Sequence, residues 1–525
     1  MTLLQWFVFF LFIQLVHFVA TWKMYEAAGR NKWEAAVPIY NAIVLMKIIG
    51  RPTWWTILLF IPIINLIMFP VIWVETLRSF GKRSTIDTFL AILTFGLYVG
   101  YINYTEKLVH VSDRNLNPEN KTADTISSLL FAIVVATIVH TYFIQPYTIP
   151  TSSLEKSLLI GDFLFVSKVN YGARVPMTSV ALPMVHDSIP KTKSKSYLNC
   201  PQLPYLRLPA FEKVNRTDIV VFNWPVDTVH YFFEPKGRPG VIKPIDKRSN
   251  YVKRCVGVPG DSLSIKDGLV YIDGKLLQLP ERAKPQFSYS VAIDGKTPID
   301  FEYLIKELDI TDPAGFKDQN SRDTIYFAAL TAASAERLKN TPGITAVKRE
   351  ISKDPENGIF PHIGKWNRDN YGPIYIPEAG KTVALNLETL PFYERIIKSY
   401  EKDENGNDND LKVIGNEIRL NGQIVTSYTF KQDYYWMMGD NRHNSEDSRY
   451  WGFVPADHIV GKPIFIWMSW DSNGKGINKV RWDRVFTTVS GDGQPQSYFK
   501  YFLIFLAVYF VGEHFYKKRK KNDDI

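Results

Sequence analysis

The chain has 525 residues, 46% of them apolar, and a formal charge of +9. That length exceeds one compact core and calls for several folding units. The positive excess does not read as a nucleic-acid surface: much of it flanks apolar stretches, as at Lys82-Arg83 and Lys517–Lys521, and no basic, aromatic-interleaved platform is present.

Five segments have the character of bilayer spans, at about 2–20, 54–74, 86–104, 125–145 and 499–515, against a need for about 20 apolar residues each. The first has no basic leader and no small-x-small cleavage site, so it reads as a retained anchor. The second holds Pro62, Asn65 and Pro70, which points to a kinked or re-entrant course; the third is short and moderately polar. The basic run Lys517–Lys521 after the fifth span favours a cytoplasmic C-terminus, which puts 146–498 outside the cytoplasm. Loops 21–53 and 105–124 fit the inside. If all four early spans cross, however, Arg78, Lys82 and Arg83 fall outside, a conflict that a re-entrant second span relieves.

The chain thus divides into a multispan region over 1–124, a transmembrane helix over 125–145, a β domain over 146–279 and 413–498 with an α+β lobe inserted over 280–412, a C-terminal transmembrane helix over 499–515, and a basic cytoplasmic tail over 516–525. The fold class expected is mainly β, with an antiparallel barrel or curled sheet. Phe163–Val169 and Asp218–Trp224 read as strands rich in β-branched and aromatic residues. Asp267-Gly268, Asp273-Gly274 and Asn421-Gly422 are two-residue hairpin connections. Residues 176–216 read as a Pro- and Lys-rich surface excursion, and Glu401–Asp410 as a solvated, mobile loop. The two cysteines, Cys200 and Cys255, read as free and partly buried thiols, with pairing left open.

Three segments carry chemistry. In Ile149-Pro150-Thr151-Ser152-Ser153-Leu154, directly after the fourth span, an extended backbone sets Thr151 and Ser153 on one face. The Thr151 hydroxyl and the Ser153 N–H can then share a developing oxyanion. In Tyr251–Val256, alternation puts Tyr251, Lys253 and Cys255 on one face and Val252, Arg254 and Val256 on the other. For Lys253 to act as a base, burial must lower its pKa by roughly three units, about 4 kcal/mol in favour of the neutral amine. The bland alternative is an exposed strand lysine. In Gly439–Arg449, Ser445 is a partner for the amine, and Asp447 with Arg449 an ion pair that stiffens the loop. His443 invites a Ser-His triad reading, which its polar loop setting disfavours. With the nine histidines scattered and no Cys/His knuckle, no metal is expected, and no organic cofactor is needed.

In this order, after a membrane span, the three segments resemble the bacterial type I signal peptidase (leader peptidase) family over roughly 146–170, 211–225, 251–275 and 434–468. The resemblance implies Ser153 as nucleophile, Lys253 as general base, Thr151 with the Ser153 N–H as oxyanion hole, Ser445 positioning the lysine, and Asp447 and Arg449 in support. It also implies that Ile149, Pro150, Leu154, Leu158, Tyr251 and Val252 meet the substrate. The chain departs from the family pattern in several places. Ser152-Ser153-Leu154 stands where Gly-Ser-Met is usual, which leaves Ser152 as a fallback nucleophile. Glu155-Lys156-Ser157 replaces Met-Pro-Thr, His443 an Asp, and Thr217 a Gly. The activity implied is cleavage of signal peptides from exported preproteins at the bacterial inner membrane. The partners are those preproteins, the lipid bilayer and the secretion translocon. Competing readings are a self-cleaving serine/lysine protease of the repressor type and a non-enzymatic envelope scaffold.

Overall fold

The computed structural model describes residues 2–117, 121–235, 237–308, 310–318, 320–403, 406–471, 474–491 and 493–523. Two compact units are present: Met1–Phe143 with Ala173–Leu208 and Asp227–Ser249, and Ile144–Gly172 with Pro209–Val226 and Asn250–Ile525.

In the first unit, two helices are long and apolar enough to cross a membrane among the described residues: Leu3–Ala27, and Lys121–Ile138 continued by a π turn to Phe143. The expected second and third spans are not single helices. The second is broken into Trp55–Leu58 and Ile64–Ser79, with Ile63 at φ +71° between them. The third is broken into Thr85–Leu93 and Leu97–Thr105, with Gly96 at φ +85° packed on Trp73. Ion pairs join the ends of each segment: Arg51 meets Glu75 at 2.9 Å, and Lys82 meets Glu106 at 3.0 Å. Each segment is therefore a helical hairpin that returns to the level it left. Arg114 adds a second cation to the buried Glu75 at 2.6 Å, since a carboxylate withdrawn from water needs paired charge.

The expected excursion belongs to this unit. The Trp6 indole donates to the Gln202 carbonyl at 2.8 Å, and Ile63 packs with Ala181 and Tyr197. Thr178 is tied to Asp246 at 2.7 Å, and the buried Lys243 to Asp227 at 2.8 Å. Both cysteines are free; Cys200 is exposed and Cys255 buried.

The second unit is mainly antiparallel β. Its largest sheet is a curled half-barrel with strand order Ile144–Thr148, Asp162–Ser167, Ile459–Ser469, Ile219–Asn223, Asn250–Gly257, Tyr434–Met438, Val454–Pro455; Thr487–Thr488 also pairs with Ile459–Ser469. The register sets Val220 opposite Lys253 and Ile219 opposite Arg254. The three Asx-Gly turns each close a hairpin with both residues at positive φ: Asp267 and Gly268 at 49° and 78°, Asp273 and Gly274 at 50° and 78°, Asn421 and Gly422 at 51° and 85°. That is the type I′ geometry whose twist suits adjoining strands.

Residues in the 280–412 stretch divide between two cores. Gln286–Ile293, Ala314–Phe316, Thr324–Thr331 and Ile344–Arg349 form a separate sheet around Val291, Ile325 and Phe327. Phe360, Tyr371 and Tyr393 instead pack with Trp436 and Phe453 of the largest core. The polar tract is anchored at both ends rather than wholly solvated. Glu401 is buried and accepts from the Tyr428 and Tyr434 hydroxyls at 2.8 and 2.9 Å, and Asn409 donates to the Ile397 carbonyl at 2.7 Å. Glu404 and Asn405 within it, and Asp524 and Ile525 of the tail, lie outside the described residues.

Thr217 stands at φ +73°, a region a β-branched residue rarely occupies. It is held there by its N–H donating to the Cys255 carbonyl at 2.7 Å and by the Arg254 guanidinium on its own carbonyl, also at 2.7 Å. Thr217→Gly is therefore expected to raise stability by about 1 kcal/mol, read as an upward shift of the thermal unfolding midpoint in detergent.

Candidate active site

Residues Ser152–Leu154 form a 3-10 turn, preceded by Thr151 in extended conformation at φ −134° and ψ 155°. The expectation of a continuous extended segment is thus corrected, and with it the argument that alternation alone puts Thr151 and Ser153 on one face. The turn gives the two serines separate surroundings. Ser153 Oγ lies 2.6 Å from Lys253 Nζ, whereas Ser152 Oγ accepts from Asn444 Nδ2 at 3.0 Å. Lys253 thus reaches Ser153 and not Ser152.

Lys253 projects from the middle of the Asn250–Gly257 strand and is 3% exposed. Burial lowers its pKa to about 8; Asp447 and Glu446 oppose that shift while Arg449 assists it. The amine also lies 5.3 Å from the Tyr251 ring, on the face that alternation predicts.

Behind the lysine sits a set of buried charges. Arg449 grips Asp447 with Nε on Oδ1 and Nη2 on Oδ2, both at 2.8 Å, and the Gly439 N–H donates to the same carboxylate at 3.0 Å. Arg254 grips Asp440 in the same bidentate way at 2.8 and 2.6 Å, and the Ser157 hydroxyl adds a third bond at 2.6 Å. Although burial opposes ionisation of both acids, their arginine partners hold both carboxyls below the usual range. Burial pushes the neighbouring Arg442 down to about 10.

The other expected residues fall into two groups. Ser445 is buried but makes no hydrogen bond to Lys253; its Oγ lies instead toward Gly439 and Asp447. A Cβ on Gly439 would come within 2.6 Å of the Ser445 Cβ and 2.5 Å of the Ser153 carbonyl oxygen, so no larger residue fits between them. Thr151 is half-buried, close in sequence to Ser153, and its side chain makes no capping hydrogen bond to the turn that follows it. Ile149, Leu154 and Leu158 are core residues packed with Val221 and half-buried Val252. Pro150 is exposed, and Tyr251 stacks on Trp224 at 5.1 Å. His443 is held elsewhere: its Nδ1 accepts from the Ser288 N–H at 3.1 Å and its Nε2 faces Asp369 at 2.8 Å, which leaves no geometry for a triad with Ser153. No group of three or more His, Cys, Asp or Glu suited to a metal occurs among the described residues.

Sequence reasoning passed over Arg254, Asp440, Asn441 and Asn444. Arg254 carried a signal, being a charged side chain on the strand face opposite Lys253, where only a buried counterion can satisfy it. The two asparagines hold the serine turn, Asn441 N–H on the Ser153 carbonyl at 3.1 Å and Asn441 Nδ2 on the Ser152 carbonyl at 3.2 Å.

A family model described as Signal peptidase, peptidase S26, matches residues 122–329 and 376–470, together more than half of the chain. A second, described as a Family of unknown function (DUF5684), matches residues 33–112, the region of the two helical hairpins. Among curated proteins, Signal peptidase I of Buchnera aphidicola subsp. Acyrthosiphon pisum is 24% identical over 421 residues, covering 75% of this chain and 97% of that protein. Signal peptidase I of Haemophilus influenzae is 23% identical over 384 residues, covering 71% and 78% respectively. That of Rickettsia typhi is 24% identical over 375 residues, covering 70% and 90%.

Replacing Asp440 by Asn strips the counterion from a guanidinium that is almost fully buried. The expected loss is about 3–5 kcal/mol, measured as a fall in the denaturant midpoint in detergent.

Proposed function

The chain belongs to the signal peptidase family, peptidase S26, and is a serine endopeptidase of that kind; we propose that it removes signal peptides from exported preproteins, with Ser153 as nucleophile and Lys253 as general base. The observation that carries this reading is the 2.6 Å separation of a hydroxyl and a desolvated amine. A neutral amine has a lone pair for the Ser153 proton; an ammonium has none.

In the proposed reaction, Ser153 Oγ attacks the scissile carbonyl carbon as its proton passes to Lys253 Nζ. The oxyanion is taken by the Ser153 N–H and the Thr151 hydroxyl. Collapse breaks the C–N bond, the leaving amine takes the proton from Lys253, and the mature chain departs. The signal peptide stays esterified to Ser153. Lys253 then deprotonates water, which attacks the ester and returns Ser153 to its starting state. Asp447, Arg449 and Ser445 shape the pocket behind the amine. An extended substrate meets Pro150, Tyr251 and Val252 at the surface, with Ile149, Leu154 and Leu158 as the apolar floor that favours small side chains. No cofactor enters any step.

The proposed setting is the bacterial inner membrane, with 146–498 on the outer side and the translocon as the source of substrates. Trp6, at the start of the first helix, and Ile63, at the break of the first hairpin, both touch the 173–208 excursion, which supports an outward N-terminus. Lys23, Arg30 and Lys32 follow toward the other end of that helix, and Arg51, Arg78, Lys82 and Arg83 flank the hairpin bases. These cations then all lie inside, as the positive-inside bias requires. In this topology the 499–515 part of the Phe499–Asp523 helix is proposed as a third crossing beside the two helices that meet the length and hydropathy of a span, so that the chain goes in, out and in again to a cytoplasmic basic tail.

Ser153→Ala and Lys253→Ala are each expected to lower cleavage of a purified preprotein by at least about 10³-fold while the protein still inserts; parental rates in either would end the assignment. Because the neutral amine is the active form, the rate constant kcat/KM should rise with pH through about 8 and fall away below it. The topology is checked in a Cys200→Ser background with an impermeant maleimide on spheroplasts. Thr2→Cys should label from outside and Arg83→Cys only after lysis.

A further inference from the structure

One carboxylate of the 280–412 stretch reaches the asparagines that hold the nucleophile turn. Asp312 Oδ2 accepts from Asn441 Nδ2 at 2.5 Å, and Asp312 Oδ1 accepts from Asn444 Nδ2 at 3.0 Å. Each amide nitrogen has two hydrogens. The second hydrogen of Asn441 goes to the Ser152 carbonyl at 3.2 Å, and that of Asn444 to the Ser152 hydroxyl at 3.0 Å. One carboxylate therefore orients two amides, and the two amides grip both polar ends of the residue before Ser153. The Asn441 N–H holds the Ser153 carbonyl as well, at 3.1 Å.

We propose that Asp312 is a positioning residue for the proteolytic reaction, holding the Ser152–Ser153 turn in register with Lys253 through Asn441 and Asn444. This rests on the Ser153/Lys253 reading above. The need for such a clamp follows from local chemistry. A three-residue 3-10 turn has little hydrogen bonding of its own, and a serine at 152 has a hydroxyl that can bond in several directions unless a donor fixes it. Asp312 touches no reacting atom. Its effect passes entirely through the two asparagines, and it falls outside the three motif segments that carry Ser153, Lys253 and Ser445. The neighbouring Glu155, whose carboxyl burial pushes up, bonds Thr311.

The test uses the full chain in detergent with a purified preprotein, reading kcat and KM separately for Asp312→Ala and the near-isosteric Asp312→Asn, with Ser153→Ala in parallel. Since misplacing a reacting group by about 1 Å can cost about 10²-fold, Asp312→Ala should lower kcat by roughly ten- to a hundredfold with KM within about twofold. The pH midpoint near 8 should stay in place, because Lys253 keeps its surroundings. Asp312→Asn, which keeps one acceptor oxygen, should fall between. Adding Asn441→Ala and Asn444→Ala to Asp312→Ala should cost little more than the asparagine changes alone, a non-additivity that a merely structural role would not produce. If Asp312→Ala does not fold, Asp312→Asn decides: a kcat within about twofold of the parent overturns the proposal, as does a loss confined to KM. Should Ser153→Ala cleave at the parental rate, the Ser153/Lys253 reading itself fails. An inactive Ser153→Ala beside fully active Asp312 variants sinks only the clamp.

Discussion

The site depends on keeping an amine out of water without giving it a carboxylate of its own. A lysine buried beside a free Asp or Glu would form an ion pair, and its pKa would return toward the ordinary value. Lys253 has two buried acids within electrostatic reach, Asp447 and Asp440, yet its pKa still falls. The reason is that each acid is already taken in bidentate fashion by an arginine, Asp447 by Arg449 and Asp440 by Arg254. Arg442 adds a further buried cation to the same set. The balance is tipped by burial of the amine, which outweighs the remaining attraction of Asp447, Glu446 and Asp440. The net effect disfavours the ammonium by ~3 kcal/mol for a fall to about 8.

That arrangement fixes what the strands must do. Lys253 and Arg254 are adjacent, so their side chains leave opposite faces of one strand, one toward Ser153 and the other toward Asp440. A slip of one residue would exchange them, placing a permanent cation against the serine. The pairing of Lys253 with Val220 and of Arg254 with Ile219 holds the register. The left-handed backbone at Thr217, held by Arg254, belongs to the same constraint. Gly439 works at shorter range, where its lack of a side chain lets the Ser445 loop and the Ser153 carbonyl close on each other.

Much of this was legible from residue order, because local chemistry decides it. The three Asx-Gly hairpins follow from positive φ at two successive positions, and the strand bearing Lys253 from its alternation. The 3-10 turn at Ser152–Leu154 was not legible, since a proline followed by hydroxyl residues suits extended and turned backbone alike. Pro62, Asn65 and Pro70 with the flanking cations pointed to a re-entrant course at 54–74, but the apolar run at 86–104 gave no sign of a hairpin. Hydropathy adds over a window, and a broken pair of short helices sums to the same value as one long one. What separates the two cases is the pairing of Arg51 with Glu75 and of Lys82 with Glu106, contacts 24 residues apart in sequence in each case. Asp312 left no trace for the same reason: its partners lie about 130 residues away in a different motif.

Long stretches between strands are usually cheap to close, because the closure cost grows only slowly with length. By that logic the 280–412 stretch needs no tie to the Gly439–Arg449 loop beyond its two chain ends. It has several. The Gln286 N–H donates to the Asp440 carbonyl at 2.8 Å, the Arg442 N–H donates to the Gln286 carbonyl at 2.9 Å, and the Lys284 N–H donates to the Ser157 hydroxyl at 3.1 Å. Ser157 in turn bonds Asp440, the counterion of Arg254. The first residues of this stretch therefore pair with the loop that carries the buried charges, and any displacement of the 282–290 segment must break hydrogen bonds at Asp440 or Arg442. Its stability and the geometry around Lys253 are one cooperative problem rather than two.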